Sequence, residues 1–497
     1  SERPRVWDVT HPGAVRALPV TGSGPYRTEA EQGGGRPLEL AAFQPDGASV
    51  RRPAAGREIP NQNLHGIQGH PDAIIVSPAA FRPAAEDLAS FRRGQGLDVR
   101  VVEVEKIYNE FSGGVPDMRA VRDYLKFLYD RAGSEAEMPR YALLFGDGHV
   151  DYRGLTDPAL TNWILPYETR ESLRQIATYT SDDYFGLLDD DEGTWDWEGS
   201  ASVSAERVDL GIGRLPVQSL EQAEAVVAKL KRYERAETLG GWRTRYMMVA
   251  DDGPNGTADD RDLHTQNMEA VAPIIDREAG GLEQVKIYGQ SYQAETTADG
   301  RRIPGARRDM LSGLERGVLV WNYTGHGSWR ALAAERFMTV EDVPGLANEG
   351  RPTIGVTATC SWGHWDMPSR QSGAEQMVLR SRGGAIAMLT TVRIVFTSSS
   401  VGSYNVGLNR ALNDMMLERG PDGRSRRLGE VMRLTKNTRA GAQGNNRKFN
   451  LIGDPMTRVG LPRHEVRLSR VNGVSLEDTT ARLPALGRVS LEGEVRR

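Results

Sequence analysis

Residues 318–323 read VLVWNY and run into Thr324-Gly325-His326-Gly327-Ser328; residues 353–358 read TIGVTA and run into Thr359-Cys360-Ser361-Trp362. Both are short, almost wholly apolar runs closed by small residues, the pattern of strands buried on both faces of a parallel sheet. Carboxyl ends of parallel strands open onto one crevice, where open α/β proteins bind ligands. Neighbouring strands lie about 4.8 Å apart, so residues just past their ends can meet. Here those residues are a Gly-flanked histidine and the chain's one cysteine.

The chemistry suits that placement. A thiol is mostly protonated near neutral pH, its reference value being about 8.5. A nearby imidazole can take the proton, or give one to a leaving amine. Glycines beside His326 let a substrate carbonyl approach the backbone. The amides of Gly327 and Cys360 are the candidate oxyanion donors, a role worth about 3–4 kcal/mol per donor elsewhere. Against this, a lone Cys is most often a small buried apolar residue, and a Gly-His-Gly turn is common. A second His-Gly pair, His65-Gly66, follows no apolar strand and reads as a loop.

Outward from this pair the same alternation continues. Strands are expected at 73–76, 98–104, 141–145, 207–215, 246–250 and 385–390. Helices are expected at 84–94, 116–131, 219–237, 264–279, 307–316, 340–348, 374–380 and 400–416. Strands alternating with helices predict a mainly parallel sheet covered on both faces, an α/β fold. With 497 residues, two to four domains are expected. The boundaries fall near 65, 240 and 464: a β region with linker (1–65), a first α/β subdomain (66–240), a second that carries the reactive pair (241–464), and alternating β segments (465–497). Both ends read as cut from a longer protein, with any export signal outside it.

Composition excludes several classes. With 62 basic against 67 acidic residues and a formal charge of −5, nothing draws the chain to nucleic acid. No apolar run approaches the roughly 20 residues of a membrane span. One cysteine allows no intrachain disulfide, and with eight scattered histidines no zinc pattern forms. Gly211-Ile212-Gly213-Arg214-Leu215-Pro216 lacks the dinucleotide-binding glycine spacing. The acidic run Asp182, Asp183, Asp189, Asp190, Asp191, Glu192 offers oxygens to a hard cation, yet misses the twelve-residue calcium-loop pattern. Trp329, Trp362, His364, Asp366 and Glu375 flank the reactive ends as candidate pocket walls, and His364 is a competing base.

An apolar block ending in His-Gly, then one ending in a small residue and Cys, resembles the caspase-like cysteine peptidases. The strings Asn322–Ser328 and Ala358-Thr359-Cys360 are similar to the gingipain family, and most of all to its type IX secretion sortases. So are Leu144-Phe145-Gly146-Asp147, Ser181-Asp182-Asp183-Tyr184-Phe185-Gly186, Gly383-Gly384-Ala385-Ile386-Ala387, Leu451-Ile452-Gly453-Asp454-Pro455 and Val6-Trp7-Asp8-Val9-Thr10. The resemblance implies a two-part caspase-like catalytic region followed by an immunoglobulin-like module. It implies Cys360 as nucleophile, His326 as acid/base, and Asp252 or Asp251 as the carboxylate that orients the histidine. It raises the prospect of structural calcium at Asp182, Asp183, Asp189 and Asp191, with no cofactor required. For such a sortase the expected partners are cargo proteins with C-terminal sorting domains, anionic lipopolysaccharide as acceptor and other type IX secretion components, at a bacterial outer-membrane surface. A secreted endopeptidase and a catalytically silent scaffold are the competing readings.

Overall fold

The computed structural model describes residues 3–31, 37–45, 47, 58–171, 173–193, 206–255, 258–298, 300–400, 402–420, 422–438, 444–476, 483 and 485–496. Two compact units emerge, Ser1–Gln62 and Asn63–Arg497. In the first, Arg5–Asp8 forms the centre of an antiparallel sheet between Arg16–Leu18 and Leu40–Phe43. The rings of Trp7 and Phe43 meet edge to face at 4.9 Å.

The second unit is built on ten strands in one sheet. In chain order they are β1 (Ala73–Ser77), β2 (Val99–Glu103), β3 (Tyr141–Phe145), β4 (Gly211–Leu215), β5 (Arg245–Ala250), β6 (Glu283–Tyr288), β7 (Val320–Thr324), β8 (Thr353–Ala358), β9 (Ala385–Thr391) and β10 (Phe449–Ile452). Their spatial order is β6-β5-β7-β8-β9-β10-β4-β3-β1-β2. Eight of them, β6 and β2 excepted, are buried almost throughout, as continuous apolar runs require when helices cover both faces. Helix Met118–Asp130 shows how: Asp117 caps it by accepting from the Arg119 amide at 2.8 Å, and Val121, Leu125 and Leu128 are turned inward.

The two expected α/β halves share this single sheet. The one antiparallel junction lies between β9 and β10; β10 runs parallel to β4, which it touches through Ile452 opposite Arg214, so the strands on either side of the junction form two parallel halves of opposite direction. Both β10 and the edge strand β6 were absent from the sequence reading. β6 has only Ile287 fully buried, because an edge strand keeps its charged residues in water. The helix expected at 340–348 is only the short turn Val343–Gly345, since Pro344 and Gly345 do not continue a helix. Pro273 likewise divides the 264–279 segment into helices Leu263–Glu269 and Ala272–Ala279.

Beyond the sheet, Glu465–Val471 pairs antiparallel with Val474–Ser475 and with Leu491–Arg496. Residues 477–482 of the expected terminal β module lie outside the described residues. Among the described residues no helix is long and apolar enough to cross a membrane.

Candidate active site

Strands β7 and β8 pair in parallel with Thr324 opposite Ala358. His326 and Cys360 therefore stand at equivalent positions, each two residues past its strand. Their loops touch: a Cβ on Gly327 would lie 2.5 Å from Thr359 Oγ1 and 3.3 Å from the Cys360 carbonyl oxygen. Only glycine allows that approach. At Gly325 a side chain would meet Asp251 Cβ at 2.3 Å and Tyr323 Oη at 2.6 Å, so the turn before the histidine is pressed against the end of β5.

The backbone of His326 is clamped on two sides. Its amide donates to Asp251 Oδ2 at 2.9 Å, and its carbonyl accepts from Tyr323 Oη at 2.7 Å and from the Ala333 amide at 2.9 Å. Ala333 and Ser328 supply the amides of the bridge between Gly327 and Leu332, so the Gly327 N–H takes no part in it. The imidazole is half-buried, and Nε2 donates to Asp260 Oδ2 at 2.7 Å. A carboxylate can only accept, so this bond places the proton on Nε2 and the lone pair on Nδ1.

The aspartates expected to orient the ring have other work. Asp251 holds the His326 amide, and burial, with Glu335 and Asp252 alongside, pushes its carboxyl up to about 8. Asp252 pairs with Arg301, which also reaches Glu335 at 2.6 Å. The carboxylate on the imidazole, Asp260, was missed. It lies in the loop before helix Leu263–Glu269, where no periodic pattern singles it out. The same loop borders an open cavity of about 570 Å3, lined by Asp252, Asp259, Arg261, Tyr292 and Arg301 among others.

On the cysteine side, Thr391 of β9 donates through its hydroxyl to the carbonyl of Thr359, fixing the residue before Cys360. Ser361 follows in the left-handed region at φ 57°, a conformation few non-glycine residues adopt. The Cys360 thiol donates to the Val395 carbonyl at 3.9 Å and makes no hydrogen bond to His326. Free catalytic groups are often loosely aligned and tighten on substrate. Burial raises the thiol above its ordinary value, opposed by the Lys448 ammonium. Lys448, another residue the sequence reading passed over, is buried and donates to the carbonyls of Ile176 (2.5 Å) and Ile394 (2.6 Å). Its own value is pushed down to about 8 by burial. Lys448→Met is therefore expected to move the alkaline inflection of Cys360 alkylation to higher pH. Each half unit lowers the thiolate fraction at neutral pH about threefold; an unmoved inflection in a stopped-flow pH profile would separate the lysine from the thiol.

The expected pocket walls are redistributed. Trp362 is fully buried, its ring packed where any side chain at Gly373 would stand. Glu375 is fully buried too, closing a capping box with Ser372 at the start of helix Gly373–Leu379. Neither has surface to offer a substrate. Trp329 is half-buried, with Arg370 over its ring at 5.3 Å. His364 lies 3.5 Å from Asp366, whose carboxylate is gripped by Arg393, and burial pushes the imidazole down to about 4.

The acidic run is also split. Asp182 pairs with the buried Arg214 at 2.7 Å and Asp183 with the buried Lys436 at 2.6 Å, which removes both from the expected cation set. Asp191 is exposed. Asp189 instead gathers with Glu192 and Asp209, one oxygen of each within 4.8 Å of the others. Burial pushes Asp209 up to about 6, with Asp189 nearby adding to the rise.

A thiol and a carboxylate-backed imidazole thus stand at matched ends of adjacent parallel strands of a caspase-like sheet, an arrangement suited to cysteine-peptidase chemistry. The profile of peptidase family C25 matches residues 67–460, and the chain belongs to that family, the gingipain cysteine peptidases. Gingipain R2 of Porphyromonas gingivalis (strain ATCC BAA-308 / W83) is 20% identical over 360 residues, 72% of this chain and 41% of gingipain R2. The Arg-specific cysteine proteinase gingipain R superposes with a TM-score of 0.58 at 17% identity, covering 80% of this chain and 81% of that one. Dimeric latent PorU from Porphyromonas gingivalis superposes with a TM-score of 0.52 at 27% identity, covering 99% of this chain and 40% of PorU. The chain thus spans about two fifths of gingipain R2 and of PorU.

Proposed function

We propose that this chain carries the catalytic region of a sortase-type transpeptidase. Cys360 Sγ attacks the carbonyl before a C-terminal sorting domain while its proton passes to His326 Nδ1. The amides of Gly327 and Cys360 receive the oxyanion. His326 then protonates the leaving amine, the C–N bond breaks, and a thioester remains on Cys360. An amine of anionic lipopolysaccharide attacks that thioester, gives its proton through His326, and releases the thiol. Asp260 holds the ring and stabilises its cationic form. Cargo proteins and other type IX secretion components are the partners, at the bacterial outer-membrane surface.

The matched register of His326 and Cys360 carries the acyl-transfer chemistry. The likeness to PorU over 99% of this chain supports transfer as the outcome. The match to gingipain R2 supports hydrolysis instead. Supplying a cargo C-terminal domain with a simple amine separates them by mass: transfer adds the amine to the cleaved end, whereas hydrolysis adds water. A scaffold gives neither product and leaves Cys360 unlabelled by a peptide electrophile.

The same reading places structural calcium on Asp189, Glu192 and Asp209, an all-oxygen set suited to a hard cation. Calcium is then expected to raise the wild-type melting temperature and to leave that of Asp209→Asn unchanged, read by scanning calorimetry.

A further inference from the structure

His264 takes no part in the acyl chemistry, yet it is placed against it. It is 3% exposed, and neither ring nitrogen has a hydrogen-bond partner. A buried polar group left unpaired costs about 1–3 kcal/mol. Its Nε2 lies 3.4 Å from Asp260 Oδ2 without forming a hydrogen bond, and its ring stands edge-on to His326 with centroids 5.1 Å apart. Asp260, His264 and His326 each present one donor atom, all within 4.8 Å of one another.

We propose that Asp260, His264 and His326 form a binding site for a divalent transition-metal ion of the zinc class, which reversibly silences the enzyme by capturing its catalytic imidazole. Two imidazole nitrogens and one carboxylate oxygen, with a fourth position open, are a zinc donor set; calcium and magnesium prefer oxygen alone. Zinc bonds of about 2.0–2.2 Å at tetrahedral angles set donors about 3.3–3.5 Å apart. The Asp260–His264 distance of 3.4 Å already fits, and the Asp260–His326 distance of 2.7 Å has to open slightly. The Asp260/His264 spacing of four residues joins a loop to the first turn of helix Leu263–Glu269, while His326 arrives from the end of β7. No local zinc pattern exists because the third ligand comes from a distant strand end.

The inhibition follows from proton bookkeeping. Nε2 of His326 now carries a proton shared with Asp260. A metal ion on Nε2 displaces that proton, and the ring keeps one only on Nδ1. Nδ1 then has no lone pair to accept the Cys360 proton, and Asp260 is engaged by the ion. This consequence rests on the role given to His326 above; binding itself does not.

The test uses the full chain and zinc itself. Zinc is titrated against a chromophoric chelator into wild type and Cys360→Ala, and cobalt substitution reports the donor set by its visible absorption. Both proteins are expected to bind a single ion equally well. His264→Gln and Asp260→Asn are expected to weaken binding by at least the roughly 10–100-fold that loss of merely supporting groups costs other sites. Far-ultraviolet circular dichroism and melting temperature verify each fold, and His264→Asn replaces any variant that does not fold. In wild type, zinc is expected to suppress electrophile labelling of Cys360, with recovery on adding a chelator. Zinc lost in Cys360→Ala but retained in His264→Gln would place the ion on the thiol and overturn the proposal, as would wild type binding none. Binding through His264 with labelling unaffected would overturn the silencing, and with it the role of His326, while the metal site stood.

Discussion

Cys360→Ala is expected to abolish capture by a peptide electrophile and to lower peptide-bond cleavage by about 10⁶-fold, the loss seen when a nucleophile is removed from a catalytic unit. His326→Ala should remove the general acid–base contribution, about 10²–10⁴-fold. The discriminating variants are the aspartates. Asp260→Asn keeps a side chain of the same size beside Nε2 but offers an amide that favours the other imidazole tautomer. Where the orienting aspartate is deeply buried, that change costs about 10⁴-fold. Asp260 is 30% exposed, so water can partly replace it and a smaller loss is expected. Asp252→Asn, which disturbs the Arg301 pair and the charge beside Asp251 but not the imidazole bond, should cost less again. Initial rates of a fluorogenic peptide would rank them, and Asp252→Asn falling below Asp260→Asn would reverse the assignment made from geometry.

That ranking marks where the sequence stopped being legible. Strands β7 and β8 could be read because burial on both faces demands unbroken apolar runs, and the reactive residues follow those runs directly. Pairing of Thr324 with Ala358 then does the rest. Asp260 could not be read this way: it reaches His326 across a loop, and Asp251, Asp252, Asp259 and Asp262 all compete for the same reading. Lys448 looked like one more charge in Arg447-Lys448, with nothing to announce that its ammonium is buried near the thiol. Trp362 and Glu375 misled in the opposite direction. Proximity to Cys360 in sequence suggested a pocket wall, whereas a tryptophan and a helix-capping glutamate can equally serve the core.

The same limit applies to how the halves of the sheet are held, and there a large stability effect is expected. Asp454 lies two residues past β10 and is fully buried. It accepts from Arg92 Nε at 2.9 Å, and its other oxygen accepts from the Met456 amide at 2.9 Å. Arg92 is fully buried at the far end of helix Arg82–Arg93, and Nη2 also donates to Thr457 Oγ1 at 2.8 Å. Asp454→Ala would leave a buried guanidinium short of its main counter-charge, a loss that typically costs 3–5 kcal/mol. Glu234 remains on Nη1 at 2.5 Å, which places the expected cost near the lower end, about 3 kcal/mol. The matched control is the Asp8–Arg16 pair, 3.1 Å apart with Arg16 74% exposed; Arg16→Ala should cost no more than about 1 kcal/mol. Urea titrations of the two variants supply the comparison. Asp454→Asn, which keeps an oxygen for Arg92 but not the charge, divides the cost between hydrogen bonding and charge pairing. A cost for Asp454→Ala no larger than the control would mean that Glu234 alone satisfies Arg92, and that apolar packing around β10 rather than this ion pair holds the two halves together.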